Sequence, residues 1–383
     1  MTVRVAIAYN FNDGDWLGGR NYFGSLLTAF AALAPKDIEP VLVIGETTQT
    51  SLADAFPWLQ VLRTPLMNRM HPLWLLRQFT LRALDSDPLL EGFLVRNHID
   101  ILTHSMHLGA RSRVRTLPWL CDFQFMHLPE YWEPKQIRWS RQRYAAACRQ
   151  GSGIIVSSQD ALRDLDRFAP WSKLPKHVLR FVSNPVSFDQ LPARDELLGR
   201  LGLPANYFYL PNQFWSNKNH RLAIDALAFL KSQGVDATIV CTGKTFDGRK
   251  PQFFEELMAH CRARGVEDRF KVLGVVPYLD LQGLMAYASG VINPSRFEGW
   301  STTVEEAKTF QQRLLLSDLP VHHEQAPRFG RFFSPDDPEA LARHMRDCLA
   351  EGPRPFDAAA IQADYDSRLK AFGQTFLNIL RTA

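Results

Sequence analysis

The chain has no apolar run of 18 residues, no C-x-x-C pair and no dense tract of lysine and arginine. The first absence argues against a transmembrane helix. Five cysteines, Cys121, Cys148, Cys241, Cys261 and Cys348, are scattered and odd in number, which favours reduced thiols in a cytoplasmic protein. The formal charge is only +4, so nothing calls for a nucleic-acid partner, while anionic substrates or an anionic membrane surface fit. G-x-G-x-x-G is missing, which removes the dinucleotide reading. H-E-x-x-H is missing too, and no Asp-x-Asp loop stands out as a holder of Mn²⁺ or Mg²⁺. His104 and His107 come nearest to a metal pair and read better as capping or core histidines. The opening M-T-V-R-V-A-I-A-Y-N is a strand pattern without the apolar core and cleavage site of a secretory leader.

What is present is the composition of a globular protein, with 46% hydrophobic and 22% charged residues over 383 positions. That length exceeds one ordinary core and points to two domains, 1–190 and 191–360, with a terminal helix over 361–383 crossing back to the first. Both halves repeat a strand, loop, helix grammar, the mark of doubly wound α/β sheets. In the first half, Val3 to Ala8 is a buried strand. The polar loop Asn10 to Arg20 follows and leads into a helix near Tyr22 to Ala34, and Gly18 and Gly19 suit close approach to a phosphate or sugar or a simple tight turn. Arg69 to Leu84 is a basic amphipathic helix whose apolar residues face either the core, the safer reading, or a membrane. Pro134 to Arg149 is rich in arginine and aromatics, facing an anionic acceptor or solvent. Asn184 to Pro204, with three prolines, is the expected hinge.

The chemistry gathers in Val291 to Lys308, V-I-N-P-S-R-F-E-G-W-S-T-T-V-E-E-A-K. A strand ends there, a loop follows, and Ser301, Thr302 and Thr303 start a helix. Unpaired N–H groups and the positive end of the dipole make such a helix start a place for phosphate. Glu298 precedes the turn and Glu306 lies about five residues into the helix, roughly 7 Å along its axis. Carboxylates so placed would grip hydroxyls on either side of a bound phosphate, as in a sugar nucleotide. The plainer alternative is a loop carboxylate, a capping serine and a solvated face at Glu305 and Glu306. Upstream, Lys218 in P-N-Q-F-W-S-N-K-N-H stands at an expected helix start, where a cation is unfavourable unless something negative sits beside it; a phosphate would supply that charge, or the lysine is simply solvated. Leu117 to Tyr131 offers Asp122, Gln124 and His127 at the C-terminal end of a strand, the ligand end of open α/β sheets.

Glu298 and Glu306, with seven residues between them inside E-G-W-S-T-T-V-E-E-A-K, resemble the paired-glutamate signature of retaining glycosyltransferases of family 4, which have the GT-B fold. Asn-Gln-Phe-Trp followed by Lys-Asn-His, Asp-Phe-Gln before His-Leu-Pro, and S-D-L-P-V-H-H-E-Q-A-P resemble one bacterial branch of it. The resemblance implies two Rossmann-like domains facing each other across a cleft: an acceptor-side domain, then a nucleotide-sugar donor domain. It implies transfer from a UDP or GDP type sugar to a glycan or lipid-linked acceptor in surface polysaccharide or lipopolysaccharide synthesis, at the cytoplasmic face of the membrane, without metal or other cofactor. Glu298, Lys218 and His127 would act catalytically. Gly18, Gly19, Gln213, Lys218, Arg296, Glu298, Gly299, Trp300, Ser301, Thr302, Thr303 and Glu306 would bind donor. Asp122, Gln124 and His127 would orient acceptor or sugar. Two positions depart from the pattern: Phe125 replaces a histidine, and Gln213 stands where many members carry arginine, with Arg296 a candidate to compensate. A non-catalytic nucleotide-sugar or glycan binder, or a same-fold sugar-nucleotide epimerase, are the alternatives.

Overall fold

The apolar runs become short parallel strands, as expected where helices cover both faces of a sheet. The computed structural model describes residues 2–14, 17–183, 190–352 and 357–383. They divide into two compact units: Met1–Phe123, Pro134–Val182 and Ser367–Ala383 form the first, and Gln124–Glu133 with Ser183–Asp366 the second.

In the first unit β1 (Val3–Tyr9), β2 (Ile38–Ile44), β3 (Gln60–Arg63), β4 (Ile101–Thr103) and β5 (Arg115–Leu117) pair in the order β3-β2-β1-β4-β5, all parallel. A second ladder, β6-β7-β8, joins Trp119–Leu120, Ile154–Val156 and Lys176–Val178. Pro118 separates β5 from β6 because it has no N–H to give, although its carbonyl accepts from the Ile155 amide at 2.8 Å. The helix expected from Tyr22 begins at Leu17 and takes Gly18 and Gly19 into its first turn.

The second unit carries β9 (Phe208–Leu210), β10 (Ile239–Cys241), β11 (Phe270–Val272), β12 (Gly290–Asn293), β13 (Leu314–Ser317) and β14 (Gly330–Phe333). Their order is β11-β10-β9-β12-β13-β14, again all parallel. Counted within the unit this is 3-2-1-4-5-6, so the winding reverses between β9 and β12 and leaves a crevice at their C-terminal ends. Helices bury one apolar layer on each face. Leu222, Leu230 and Met345 lie on one side, and Leu197, Leu284 and Val304 on the other. Of the expected hinge, residues 184–189 lie outside the described residues. Arg194–Leu201 is a helix, because Leu197 and Leu198 are buried, Asp195 and Glu196 favour its positive end and Gly202 at φ 62° closes it.

The terminal helix runs Ala358–Thr382, and its part from Ser367 onward belongs to the first unit. Phe376 meets Phe30 edge to face, with centroids 5.7 Å apart. At Gly373 a β-carbon would stand 3.0 Å from that of Ala29, so the two helices touch closely. Arg381 makes a bidentate pair with Asp37 at 2.8 and 3.0 Å, but both groups are exposed. Burial rather than charge fixes the helix here. Phe376→Ala should cost about 3–5 kcal/mol, while Arg381→Ala should leave the denaturant midpoint nearly unchanged. Equilibrium unfolding of the two variants checks the contrast.

Candidate active site

A polar knot closes the crevice between β9 and β12. Asn293, the last residue of β12, is fully buried, so its amide must find partners inside the protein. It donates to the Ser301 hydroxyl (2.8 Å) and to Glu298 Oε1 (3.3 Å), and its oxygen accepts from Asn212 Nδ2 (3.2 Å). Asn212, just beyond β9, in turn accepts from the Thr303 hydroxyl at 3.1 Å. The Ser295 hydroxyl lies 2.6 Å from Asn293 Oδ1 and 2.7 Å from Glu298 Oε1, and its one proton serves either oxygen. Two strand ends, one loop and one helix start are thereby held in register.

Glu298 also accepts from Lys218 Nζ at 2.7 Å, with both side chains largely buried. Burial alone would raise the carboxyl pKa. The Lys218 charge and hydrogen bond, the nearby His322 and the Ser295 hydroxyl outweigh it and hold the group below its ordinary value. Lys218 ends a 3-10 turn, Ser216–Lys218, and the helix begins only at His220, after Asn219 at φ 55°. The negative neighbour that this lysine requires is Glu298 itself.

The helix Thr302–Thr309 is capped by Ser301, whose hydroxyl accepts from the Val304 amide at 3.3 Å. Gln325 clamps the same turn, accepting from Ser301 N (3.3 Å) and donating to Ser301 O (3.0 Å) and Glu305 Oε1 (2.9 Å). Glu305 also pairs with Lys308 at 3.1 Å and is 1% exposed, so the solvated-face alternative does not hold for it. Among the described residues no side chain or backbone oxygen accepts from the Thr302 and Thr303 amides, which leaves two N–H donors at the positive end of a helix. Glu306 is buried one turn on, with the Ser183 hydroxyl at 3.5 Å. Trp300 is buried beside the loop, and Gly299 is half-buried.

The remaining expected residues divide. Gln213 follows Asn212 beyond β9, where Gly243, at φ 135°, approaches so closely that a β-carbon would stand 2.8 Å from Asn212 O and 2.9 Å from Gln213 Cα. Arg296, the candidate to compensate for Gln213, pairs with the exposed Asp336 at 2.7 Å. His127 is exposed and stacks on Phe297 (4.9 Å, 30°), the neighbour of Glu298. Gln124 belongs to the second unit, where its Oε1 accepts from Arg249 Nη1 at 2.9 Å. Asp122 belongs to the first unit, where its carbonyl accepts from Tyr144 at 3.1 Å. Gly18 and Gly19 are helical rather than in the loop, and Asp15 and Trp16 of that loop lie outside the described residues. The loop's Asp13 is held by Tyr9 (2.6 Å) and by the Ser51 amide and hydroxyl (2.8 and 2.7 Å).

His104 is half-buried with the Tyr22 hydroxyl at 2.6 Å, its pKa pushed down to about 3 by desolvation, and His107 lies 3.8 Å from Asp85. Asp87 is fully buried, caps the helix Pro88–Arg96 and pairs with Arg77. Among the described residues no cluster of three metal-ligating side chains forms.

Sequence reasoning missed Asn293, Asn212, Gln325, His322 and Arg249. His322 is fully buried with Nδ1 2.8 Å from Ser317 O, which fixes the proton on Nδ1, and burial lowers its pKa although Glu298 opposes this. Its Nε2 finds no partner among the described residues. Arg249 sits between the indoles of Trp132 and Trp215, 5.5 and 5.4 Å from their centroids, and pairs with Asp247 at 3.3 Å. The one available signal was an amide ending an apolar strand before proline, V-I-N-P.

Residues 200–365 match the profile of the family described as Glycosyl transferases group 1. None of the curated proteins matches the chain. Among solved structures, Anabaena Alr3699/HepE in complex with UDP and glucose superposes with a TM-score of 0.69 at 16% identity, covering 100% of both chains. Sucrose-phosphate synthase from Thermosynechococcus elongatus gives 0.69 at 15%, again over 100% of both. WaaG, a glycosyltransferase involved in lipopolysaccharide biosynthesis, gives 0.58 at 15%, over 97% of this chain and 95% of that one. The chain therefore has the GT-B fold, and its second unit carries the profile of glycosyl transferases group 1.

Proposed function

We propose that the chain is a retaining, metal-independent glycosyltransferase of family 4. It moves a sugar from a nucleoside-diphosphate donor, of UDP type first and GDP type second, to a glycan or lipid-linked acceptor hydroxyl. The observation that carries the reading is the Lys218–Glu298 pair at 2.7 Å beside the two free amides of Thr302 and Thr303. A cation and helix N–H groups stabilise the charge that grows on a departing diphosphate, the largest demand of this reaction. Glu306 holds the ribose hydroxyls, and Glu298 faces the transferred sugar and its developing positive charge. His127, stacked next to Glu298, and Gln124 orient sugar or acceptor. The family profile over 200–365 and the UDP and UDP-glucose complexes of the Anabaena protein support the donor class. Surface polysaccharide synthesis at the inner membrane face is the setting that suits a lipid-linked acceptor.

The test is proton NMR of UDP-glucose incubated with the chain. Released glucose should appear first as the α anomer, with Glu298→Gln slowing release by about 10²-fold or more. First appearance of the β anomer contradicts retention. Binding without release favours the non-catalytic reading, which Gln213 and the buried Phe125 keep specific.

A further inference from the structure

Six of the twelve large apolar side chains exposed among the described residues fall between Met70 and Leu84. The helix Pro72–Leu84 that carries most of them has no buried residue. At about 100° per residue, Leu75, Phe79 and Leu76 share an arc of about 100°, with Arg82 at its edge. Their exposures are 46%, 65% and 47%. The other side of the helix bears Arg77, whose guanidinium pairs with the fully buried Asp87 and donates to Leu66 O at 3.1 Å. A helix on a water-facing surface keeps its outward arc polar. Here Trp74 and Leu81 share the half-buried side with Arg77, and the outward arc is apolar as well.

Charge identifies what covers the apolar arc. The helix contains no acidic residue, and Arg69 and Arg82 are exposed at its two ends. A second copy packed on the same arc would oppose arginine to arginine across a two-fold axis. An anionic lipid surface takes both features at once, because acyl chains receive the apolar arc and headgroup phosphates receive the guanidinium groups. We infer that this helix docks the first unit on an anionic phospholipid surface, lying in the interface plane with Leu75, Leu76 and Phe79 inserted. The inference gives the membrane setting proposed above a defined surface, and it is tested without any sugar transfer.

The experiment is flotation of the full chain with vesicles of phosphatidylcholine alone and of phosphatidylcholine with phosphatidylglycerol. The wild type should float with the anionic vesicles only, and less so as salt rises. Leu76→Ser with Phe79→Ser should lower partitioning about tenfold or more with an unchanged melting curve, and Arg82→Gln should lower it about fivefold. Failure to float, equal flotation with neutral vesicles, or full flotation of the double variant overturns the inference. So does a wild-type dimer in sedimentation that the double variant turns into a monomer, since a second copy would then be the occupant.

Discussion

Lys218→Met should lower the stability of the second unit by about 3 kcal/mol at neutral pH, the cost of leaving a buried carboxylate without its cation. The sign of the pH dependence makes this specific. In the wild type the Glu298 pKa is held down, so its contribution is present above the unfolded carboxyl value and is lost only as pH falls through the lower folded value. Without Lys218 burial opposes the charged carboxylate, the pKa rises, and stability is instead lost as pH climbs above the unfolded carboxyl value of about 4. The gap between wild type and variant should therefore be small near pH 4 and widen toward neutrality in urea unfolding. A gap independent of pH would mean that Lys218 acts through packing of its alkyl chain. Sugar release should fall by about 10²–10³-fold in the same variant, since the proposed donor to the departing diphosphate is gone.

Gly243→Ala should be nearly as damaging although it removes no contact. The residue sits at φ 135°, where a side chain is strained, and the new β-carbon would meet Asn212 O at 2.8 Å and Gln213 Cα at 2.9 Å. These are backbone atoms, so the clash cannot be relieved by a rotamer change. Strain and displacement together should cost about 3 kcal/mol or more. The shift falls on Asn212, which ties β9 to Asn293 and Thr303. Nucleotide affinity should drop together with stability, as titration calorimetry on the folded variant would show. Gly234→Ala provides the control, since φ is 73° there but no atom lies within 4 Å of the added carbon. It should cost less and leave affinity unchanged.

Strands buried on both faces were legible because parallel sheets write them as apolar runs, as in Val41–Ile44 and Leu314–Leu316. β3, Q-V-L-R, and β14, G-R-F-F, were not, because edge strands are half exposed and lose that pattern. The Glu298 to Glu306 stretch was readable because strand end, cap and helix follow one another locally. Its supports come from afar: Asn212 and Asn293 are 81 residues apart, Ser301 and Gln325 are 24, and Gln124 and Arg249 are 125. No local pattern announces such pairs. The helix near Leu76 was ambiguous for a related reason, since it is apolar on both sides: Trp74 and Leu81 turn half inward beside the Arg77–Asp87 pair, while Leu75, Leu76 and Phe79 stay exposed.

The most direct test of the donor site is a thermal-shift titration with UDP, GDP and ADP on the wild type and on Glu306→Ala. A nucleotide at 100 times its dissociation constant stabilises the folded chain by about 2.7 kcal/mol. UDP should give such a shift for the wild type and little or none for the variant, because in the proposed site Glu306 holds the ribose. No shift with any of the three nucleotides, or an equal UDP shift in both proteins, would contradict the account.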